Sequence, residues 1–144
     1  MKKLFKVLIP VVLAVIAVVV IGLSIFNKGM ADIKKLSVES IDVSLLKDGN
    51  YFGEYENGRW QYHVEVIVRD GEVKEIHVLN TKTGPFDMEM YDDVNTELIQ
   101  RIVQNQSLQV DTVTGATVNG KALLKAVESA LKAVSYTHLR AHET

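Results

Sequence analysis

The clearest pattern along the chain is an alternation of apolar and polar residues over Trp60–Val68, which predicts a half-buried β-strand. Its apolar side chains share one face: Trp60, Tyr62, Val64, Val66 and Val68. Asp70-Gly71 follows, a pair typical of a type I′ turn, and Val73–Leu79 is then predicted to return as the antiparallel partner strand. An earlier strand is predicted over Tyr51–Glu56, with Gly53 inside it, where either another backbone approaches closely or the strand bulges.

Two later segments repeat apolar residues with the period of an α-helix. The first begins near Asp92 and aligns Val94, Leu98, Ile99, Ile102 and Val103. The second runs from about Val118 to Ala133 and aligns Leu123, Leu124, Val127, Ala130 and Leu131. Thr81–Asp93 is predicted to be irregular, and Ser107–Val110 short and extended. Together these elements predict an α+β fold, in which a small antiparallel sheet with a β-hairpin packs against two amphipathic helices.

The N-terminal segment contains 20 consecutive residues without a charge, VLIPVVLAVIAVVVIGLSIF. As a helix this run would be about 30 Å long, which is the thickness of the hydrocarbon core of a bilayer. Three lysines precede it, Lys2, Lys3 and Lys6. The positive-inside rule therefore predicts a cytoplasmic N-terminus and an extracytoplasmic remainder of the chain.

We accordingly predict that residues 1–28 form a single-pass anchor in the plasma membrane, with Pro10 in the first helical turn. A cleaved secretory signal is the alternative, although the apolar core of such signals is usually shorter, about 7–15 residues.

Composition narrows the functional classes for the rest of the chain. Residues 29–133 hold 11 Lys or Arg and 17 Asp or Glu, so their net charge is near −6. An acidic domain disfavours nucleic acid as a partner, because phosphate binding requires a basic face. The chain has no cysteine, which excludes disulfides, thiolate zinc sites, iron–sulfur clusters and a catalytic thiol. We predict a polar linker over residues 29–47 and one folded domain over residues 48–133.

The last segment, residues 134–144, reads VSYTHLRAHET and matches the conceptual translation of an adapter used in sequencing libraries. We therefore expect a non-native tail, and we do not interpret His138 and His142 as metal ligands. The other two histidines, His63 and His77, are far apart in the sequence and form no motif, so no metal site is predicted.

The segment with candidate chemistry lies before the last predicted helix and reads Asp111-Thr112-Val113-Thr114-Gly115-Ala116-Thr117. Gly115 and Ala116 leave the backbone uncrowded, and Thr117 is predicted at the N-cap of the helix. The first N–H groups of a helix have no internal partners, and the helix dipole places partial positive charge there. A phosphate ester on the Thr117 hydroxyl would be stabilised by both effects. Taken alone, the pattern is more typical of a plain loop with a helix cap, because Thr and Asp are favoured capping residues and Gly is common between elements.

The loop fits the pattern D-x-x-[ST]-G-A-[ST], the flavinylation signature of the FMN-binding domain family. The similarity extends from Asp48 to Ala133 and includes DGNYFGEYENG, VEVIVRDGEVKEIHVLN, QSLQVDTVTGAT and KALLKAVESAL. The chain thus resembles a family that includes the C subunit of the sodium-pumping NADH:quinone reductase and the G subunit of the Rnf complex. One departure is Asn119 followed by Gly120, because many relatives carry Ser or Thr at the first of these positions. A second is TKTGPFDMEMYDD, where many short relatives carry a basic, glycine-bearing stretch.

The resemblance implies a cofactor and a maturation partner. In this family a flavin transferase, using FAD and magnesium, attaches FMN through a phosphoester to the final threonine of the motif, here Thr117. Asp111, Thr114, Gly115 and Ala116 match the recognition positions. The implied function is electron transfer on the outer side of the membrane, with redox proteins or a quinone-linked complex as partners.

Two other functions stay open from the sequence alone. One is a non-flavinylated extracytoplasmic binding or scaffold module with the same fold. The other is a reductase subunit that acts on a terminal acceptor. A single small domain without a second cofactor site favours an electron carrier over an autonomous enzyme, since the flavin ring supplies the redox chemistry. Four aromatic residues are candidates for contact with that ring or for ordinary core positions: Trp60, Tyr62, Phe86 and Tyr91.

Overall fold

In the computed structural model, the backbone is described for residues 1–82 and 89–142, and side chains are described outside residues 82–90 and 134–144. The chain forms two compact units, Met1–Ala31 and Asp32–Thr144. A short 3-10 turn lies at Val43–Leu45. The helices and strands, in chain order, are α1 (Lys2–Phe26), α2 (Met30–Lys35), β1 (Gly49–Asn57), β2 (Trp60–Arg69), β3 (Glu72–Lys82), α3 (Glu89–Asn105) and α4 (Thr117–His142).

The three strands form an antiparallel sheet in the order β1-β2-β3. Gly53 pairs with Val64 across the first hairpin. The second hairpin turns at Asp70 and Gly71, whose φ angles are 56° and 71°. Positive φ at both central residues is the requirement of a type I′ turn, so the predicted hairpin is confirmed. Both flanking strands are longer than the alternation alone predicted.

One face of the sheet is buried against α4. The predicted apolar face of β2 is confirmed, because Trp60 is 2% exposed and its four partners on that face are fully buried. Gly53 lies where α4 crosses β1. A Cβ atom there would lie 2.2 Å from the Ala126 carbonyl oxygen and 2.3 Å from the Ala130 nitrogen. The close backbone approach predicted at this glycine is therefore confirmed.

The two amphipathic helices complete the core and confirm the predicted α+β fold. α3 buries Leu98 and Ile102, while α4 buries a longer row of side chains: Ala122, Leu123, Leu124, Ala126, Val127, Ala130 and Leu131. α3 begins at Glu89, which is earlier than predicted. The expectation of an irregular Thr81–Asp93 was thus wrong at both ends, since β3 continues to Lys82 and Asp92 and Asp93 are helical. Residues 83–88 of that segment lie outside the described residues.

The N-terminal helix α1 begins at Lys2, so the lysines that precede the apolar run are already helical. At 3.6 residues per turn, Pro10 falls in the third turn and not in the first, as was predicted. Its ring nitrogen cannot donate to a carbonyl one turn earlier, a loss that neighbouring groups can offset in an apolar helix. The segment is long and apolar enough to cross a membrane, a property that signal sequences share.

The segment predicted as a linker contributes side chains to the core of the second unit. Ile33, Val43 and Leu46 are all at most 9% exposed. Residues 36–39, which we call the strap, are bound by side chains of later residues at every position. Three of its carbonyls accept hydrogen bonds: Leu36 from Lys121 Nζ at 2.6 Å, Ser37 from Lys125 Nζ at 3.3 Å, and Val38 from Gln109 Nε2 at 2.7 Å. The fourth residue, Glu39, donates its amide to Glu128 Oε2 at 3.1 Å.

After α3, Gln106 adopts a φ of 50°, a left-handed conformation that is uncommon for residues other than glycine. Its side-chain amide stabilises this conformation. Oε1 accepts from the Val73 amide at 2.7 Å, and Nε2 donates to the Val73 carbonyl at 2.9 Å and to the Val103 carbonyl at 2.7 Å. Gln106 therefore bonds the backbone of β3 on the edge away from β2.

Candidate functional site

The loop singled out by the sequence, residues 111–117, leads from the segment after α3 into α4. Its first residue is fixed by a side chain of α3, because Arg101 Nη1 donates to the Asp111 carbonyl at 2.8 Å. Its last part turns into the helix, with the Ala116 amide donating to the Val113 carbonyl at 3.0 Å. The ends of the loop are thus held while its middle projects outward.

The middle of the loop is accessible. Asp111, Thr114 and Gly115 are exposed, whereas Ala116 is only 8% exposed. Gly115 has a φ of 83°, and a Cβ built on it would meet no atom within 4 Å. The glycine is therefore required by its backbone conformation and not by crowding in the unmodified chain. The open space beside it leaves room for a ligand or for a modifying enzyme.

Thr117 is the first residue of α4. The Gly120 amide donates to the Ala116 carbonyl at 2.8 Å, which makes Ala116 the capping residue, one position earlier than predicted. The amides of Thr117, Val118 and Asn119 therefore belong to the first turn, where N–H groups have no partner within the helix. Thr117 is half-buried, and its hydroxyl lies in the field of the helix N-terminus.

Asn119 and Gly120, where the sequence departs from many relatives, are both buried at the start of α4. Asn119 is only 4% exposed. A Cβ on Gly120 would lie 2.8 Å from Thr112 Cγ2 and 3.4 Å from Leu98 Cδ2. Gly120 therefore allows the loop to pack directly on the helix that it precedes.

The features of the loop are compatible with a phosphate ester on Thr117. The unpaired amides and dipole of α4 favour an anion, and Gly115 leaves open space beside it. The residues fit an FMN phosphate in charge and space. In this arrangement Thr117 would hold the phosphate and the first turn of α4 would stabilise its charge.

Two of the four aromatic candidates are core residues. Trp60 is 2% exposed and Tyr62 is fully buried, and the Tyr62 hydroxyl donates to Asn95 Oδ1 at 3.2 Å. Burial raises the pKa of the Tyr62 hydroxyl to about 12. Tyr91 is half-buried on α3, and Phe86 lies outside the described residues.

The open face of the sheet carries a polar cluster that sequence reasoning missed. Ligand atoms of Glu54, Glu56 and His63 lie within 4.8 Å of one another, and His63 Nε2 lies 3.4 Å from Glu56 Oε1. The β1–β2 register places Glu54 directly opposite His63, a pairing that spacing alone does not reveal. The cluster lies on β1 and β2 and not in the loop of residues 111–117. Within the cluster, His63 and Glu56 are close enough to contact each other.

Sequence reasoning also missed Arg101. The five predicted site residues lie within one short loop, residues 111–117, so they are necessarily close together. Arg101 lies on α3, ten residues before the loop begins. In the sequence, Arg101 is distinguished only as a polar residue outside the apolar stripe of α3.

Comparison with known proteins identifies the family to which the folded domain is similar. The model of a family described as the FMN-binding domain matches residues 57–132, which is more than half of the 144 residues. The crystal structure of the CPE2226 protein from Clostridium perfringens is similar in fold, with a TM-score of 0.50 at 23% identity. The match covers 65% of this chain and 92% of that one.

Proposed function

Because the chain belongs to the FMN-binding domain family, it is a flavin-binding module, and we propose that its FMN is linked covalently to Thr117. We further propose that the protein is a membrane-anchored electron carrier and not an autonomous enzyme. The observation that carries the proposal is the position of the Thr117 hydroxyl at the N-terminus of α4, beside an exposed loop with the signature residues.

In the proposed attachment, Thr117 would supply the oxygen of the new phosphoester. Its bond to the flavin-side phosphorus of FAD would replace the pyrophosphate bond, with AMP as the leaving group. The hydroxyl proton passes to a base of the flavin transferase. The helix N-terminus stabilises the phosphodiester that remains, which keeps one negative charge. Once bound, the isoalloxazine ring of FMN accepts and donates electrons.

The placement at the membrane rests on α1. Its charge-free run matches the bilayer core in length, and the preceding lysines favour a cytoplasmic N-terminus. In this orientation the flavin domain is extracytoplasmic, and its redox partners are proteins or a quinone-linked complex at the outer surface. An uncleaved α1 would be detected in the intact mass of the mature protein.

The decisive experiment co-expresses the full chain with a flavin transferase and measures intact mass and in-gel flavin fluorescence. The expected result is a mass increase of one FMN less one water. Thr117→Ala should abolish the increase, while Thr117→Ser, which retains a hydroxyl, should keep it. A folded wild type that gains no mass beside an active transferase would contradict the proposal and favour the binding or scaffold module.

Asp111→Ala is expected to abolish or strongly reduce flavin loading while leaving the fold intact. Asp111 is exposed, so its carboxylate is available to the transferase and contributes little to the core. The measurement is the loaded fraction by mass spectrometry, with thermal unfolding as the check on the fold. Normal loading of this variant would show that recognition does not use the acidic position of the motif.

Gly115→Val is likewise expected to block loading. In the unmodified chain a side chain at this position meets open space, which is where a phosphate on Thr117 could lie. The obstacle is the φ of 83°, which a β-branched residue strongly disfavours. Wild-type loading of Gly115→Val would show that the left-handed turn is not needed.

A further inference from the structure

We infer that Arg101 is a positioning residue for flavin attachment, although it lies outside the signature; the inference rests on the proposed function. The Arg101 guanidinium joins two parts of the chain. Nη1 donates to the Asp111 carbonyl at 2.8 Å, and Nη2 donates to Glu97 Oε1 at 2.5 Å on the same helix. Through these bonds α3 fixes the first residue of the loop.

The loop depends on side-chain contacts for its position. Just before it, Leu108 is buried and Gln109 Nε2 donates to the Val38 carbonyl, while Arg101 holds Asp111 itself. Residues 107–116 contain neither helix nor strand. Beyond Asp111, the Thr112 side chain lies beside Gly120 at the start of α4, and the turn into α4 follows. Arg101 therefore fixes the backbone carbonyl of the acidic signature residue at the point where the exposed loop begins.

An arginine suits this task for two reasons. Its guanidinium is always charged and has a planar set of donors, so it can bind a carbonyl and a carboxylate together. Glu97 is one turn earlier on α3 and fixes the orientation of the guanidinium. A partly exposed ion pair within one helix contributes little to global stability, so the effect of Arg101 is expected in the loop and not in the fold.

The test compares Arg101→Gln and Arg101→Lys with the wild type in the full chain. Arg69→Gln is the matched control, because Arg69 also donates to a backbone carbonyl, that of Val68 at 2.7 Å, but on β2. The initial rate of FMN incorporation is measured with one transferase preparation. Amide hydrogen exchange of the unmodified proteins is measured in parallel.

We expect Arg101→Gln to load roughly tenfold more slowly, as the loss of one charge-assisted hydrogen bond implies. Arg101→Lys should recover part of the rate, and Arg69→Gln should load like the wild type. Exchange in Arg101→Gln should rise in residues 110–117 while α3 and α4 stay protected.

The outcomes separate this inference from the proposed function. Equal loading by Arg101→Gln and the wild type would overturn the inference and leave the proposed function standing. An exchange increase spread over both helices would also overturn it, because Arg101 would then act through the fold. A wild type that accepts no FMN would overturn the proposed function, and the inference with it.

Discussion

At the residue scale, the absence of a side chain at Gly53 allows α4 to pack directly on β1. The atoms that a Cβ would meet belong to the backbone of α4, so no rotamer change can relieve the clash. The helix would have to move away from β1, and the buried side chains between them would lose contact. A glycine that looks like a weak strand residue is therefore the condition for the packing of the whole layer.

Gly53→Ala is expected to lower the free energy of unfolding by about 3 kcal/mol, near the upper end for overpacked positions. Chemical denaturation of the full chain in detergent is the measurement. Gly115→Ala is the matched comparison, since the same methyl group enters open space there and the cost is only the left-handed backbone, about 1 kcal/mol. Equal losses for the two variants would contradict the proposed clash.

At the scale of elements, a hydrogen bond between Tyr62 and Asn95 joins the sheet to α3. Both side chains are buried, so each polar group depends on the other. Tyr62→Phe should cost about 1–2 kcal/mol, because the Asn95 oxygen would be left without this donor. Tyr55→Phe is the control, since the contact that the Tyr55 hydroxyl accepts within the described part of the chain is a long one, from Asn57 at 3.4 Å.

The same tyrosine predicts a dependence of stability on alkaline pH. The pKa of the folded hydroxyl is raised from 10.0 to about 12, so the folded state retains a proton that the unfolded state releases. The stabilisation is fully present below pH 10 and is lost as the pH rises towards 12. In this range the wild type should lose stability more steeply than Tyr62→Phe. Parallel curves would contradict the raised pKa.

The elements themselves were largely readable from the sequence, and the reasons are local. The alternation in β2 and the Asp70-Gly71 turn need only neighbouring residues, and so do the apolar stripes of α3 and α4. Contacts between distant residues left no such pattern. The strap, the Arg101–Asp111 bond and the Glu54–His63 pairing all depend on how elements meet. The loop could be proposed as the site because its motif is contiguous, but the restraint imposed by α3 could not.

At the scale of the whole molecule, Glu128 connects the two ends of the folded unit. It is 3% exposed on α4 and accepts from the amide of Glu39 in the strap. Lys125 and Lys132 each lie 2.9 Å from its carboxylate. Burial alone would raise the pKa of Glu128, but hydrogen bonds from Lys132, Lys125 and the Glu39 amide lower it below the usual 4.5.

Glu128→Gln is expected to lower the free energy of unfolding by about 1–2 kcal/mol at neutral pH. This is less than the loss of a fully buried ion pair would cost, because both lysines reach solvent. The lowered pKa means that the stabilisation is present above pH 4.5 and is lost as the pH falls below it. The stability difference between wild type and variant should therefore shrink on acidification. A difference that stays constant from neutral to acidic pH would contradict the role of the charge.

The Gln106 side chain has a consequence for how this protein meets copies of itself. An edge strand normally offers its free N–H and C=O groups to any other extended chain. At Val73 both groups are already bonded to one primary amide, which has the same donor and acceptor as a peptide unit. The glutamine thus takes the place that an invading strand would need, so intermolecular β-pairing cannot start at this point of the edge.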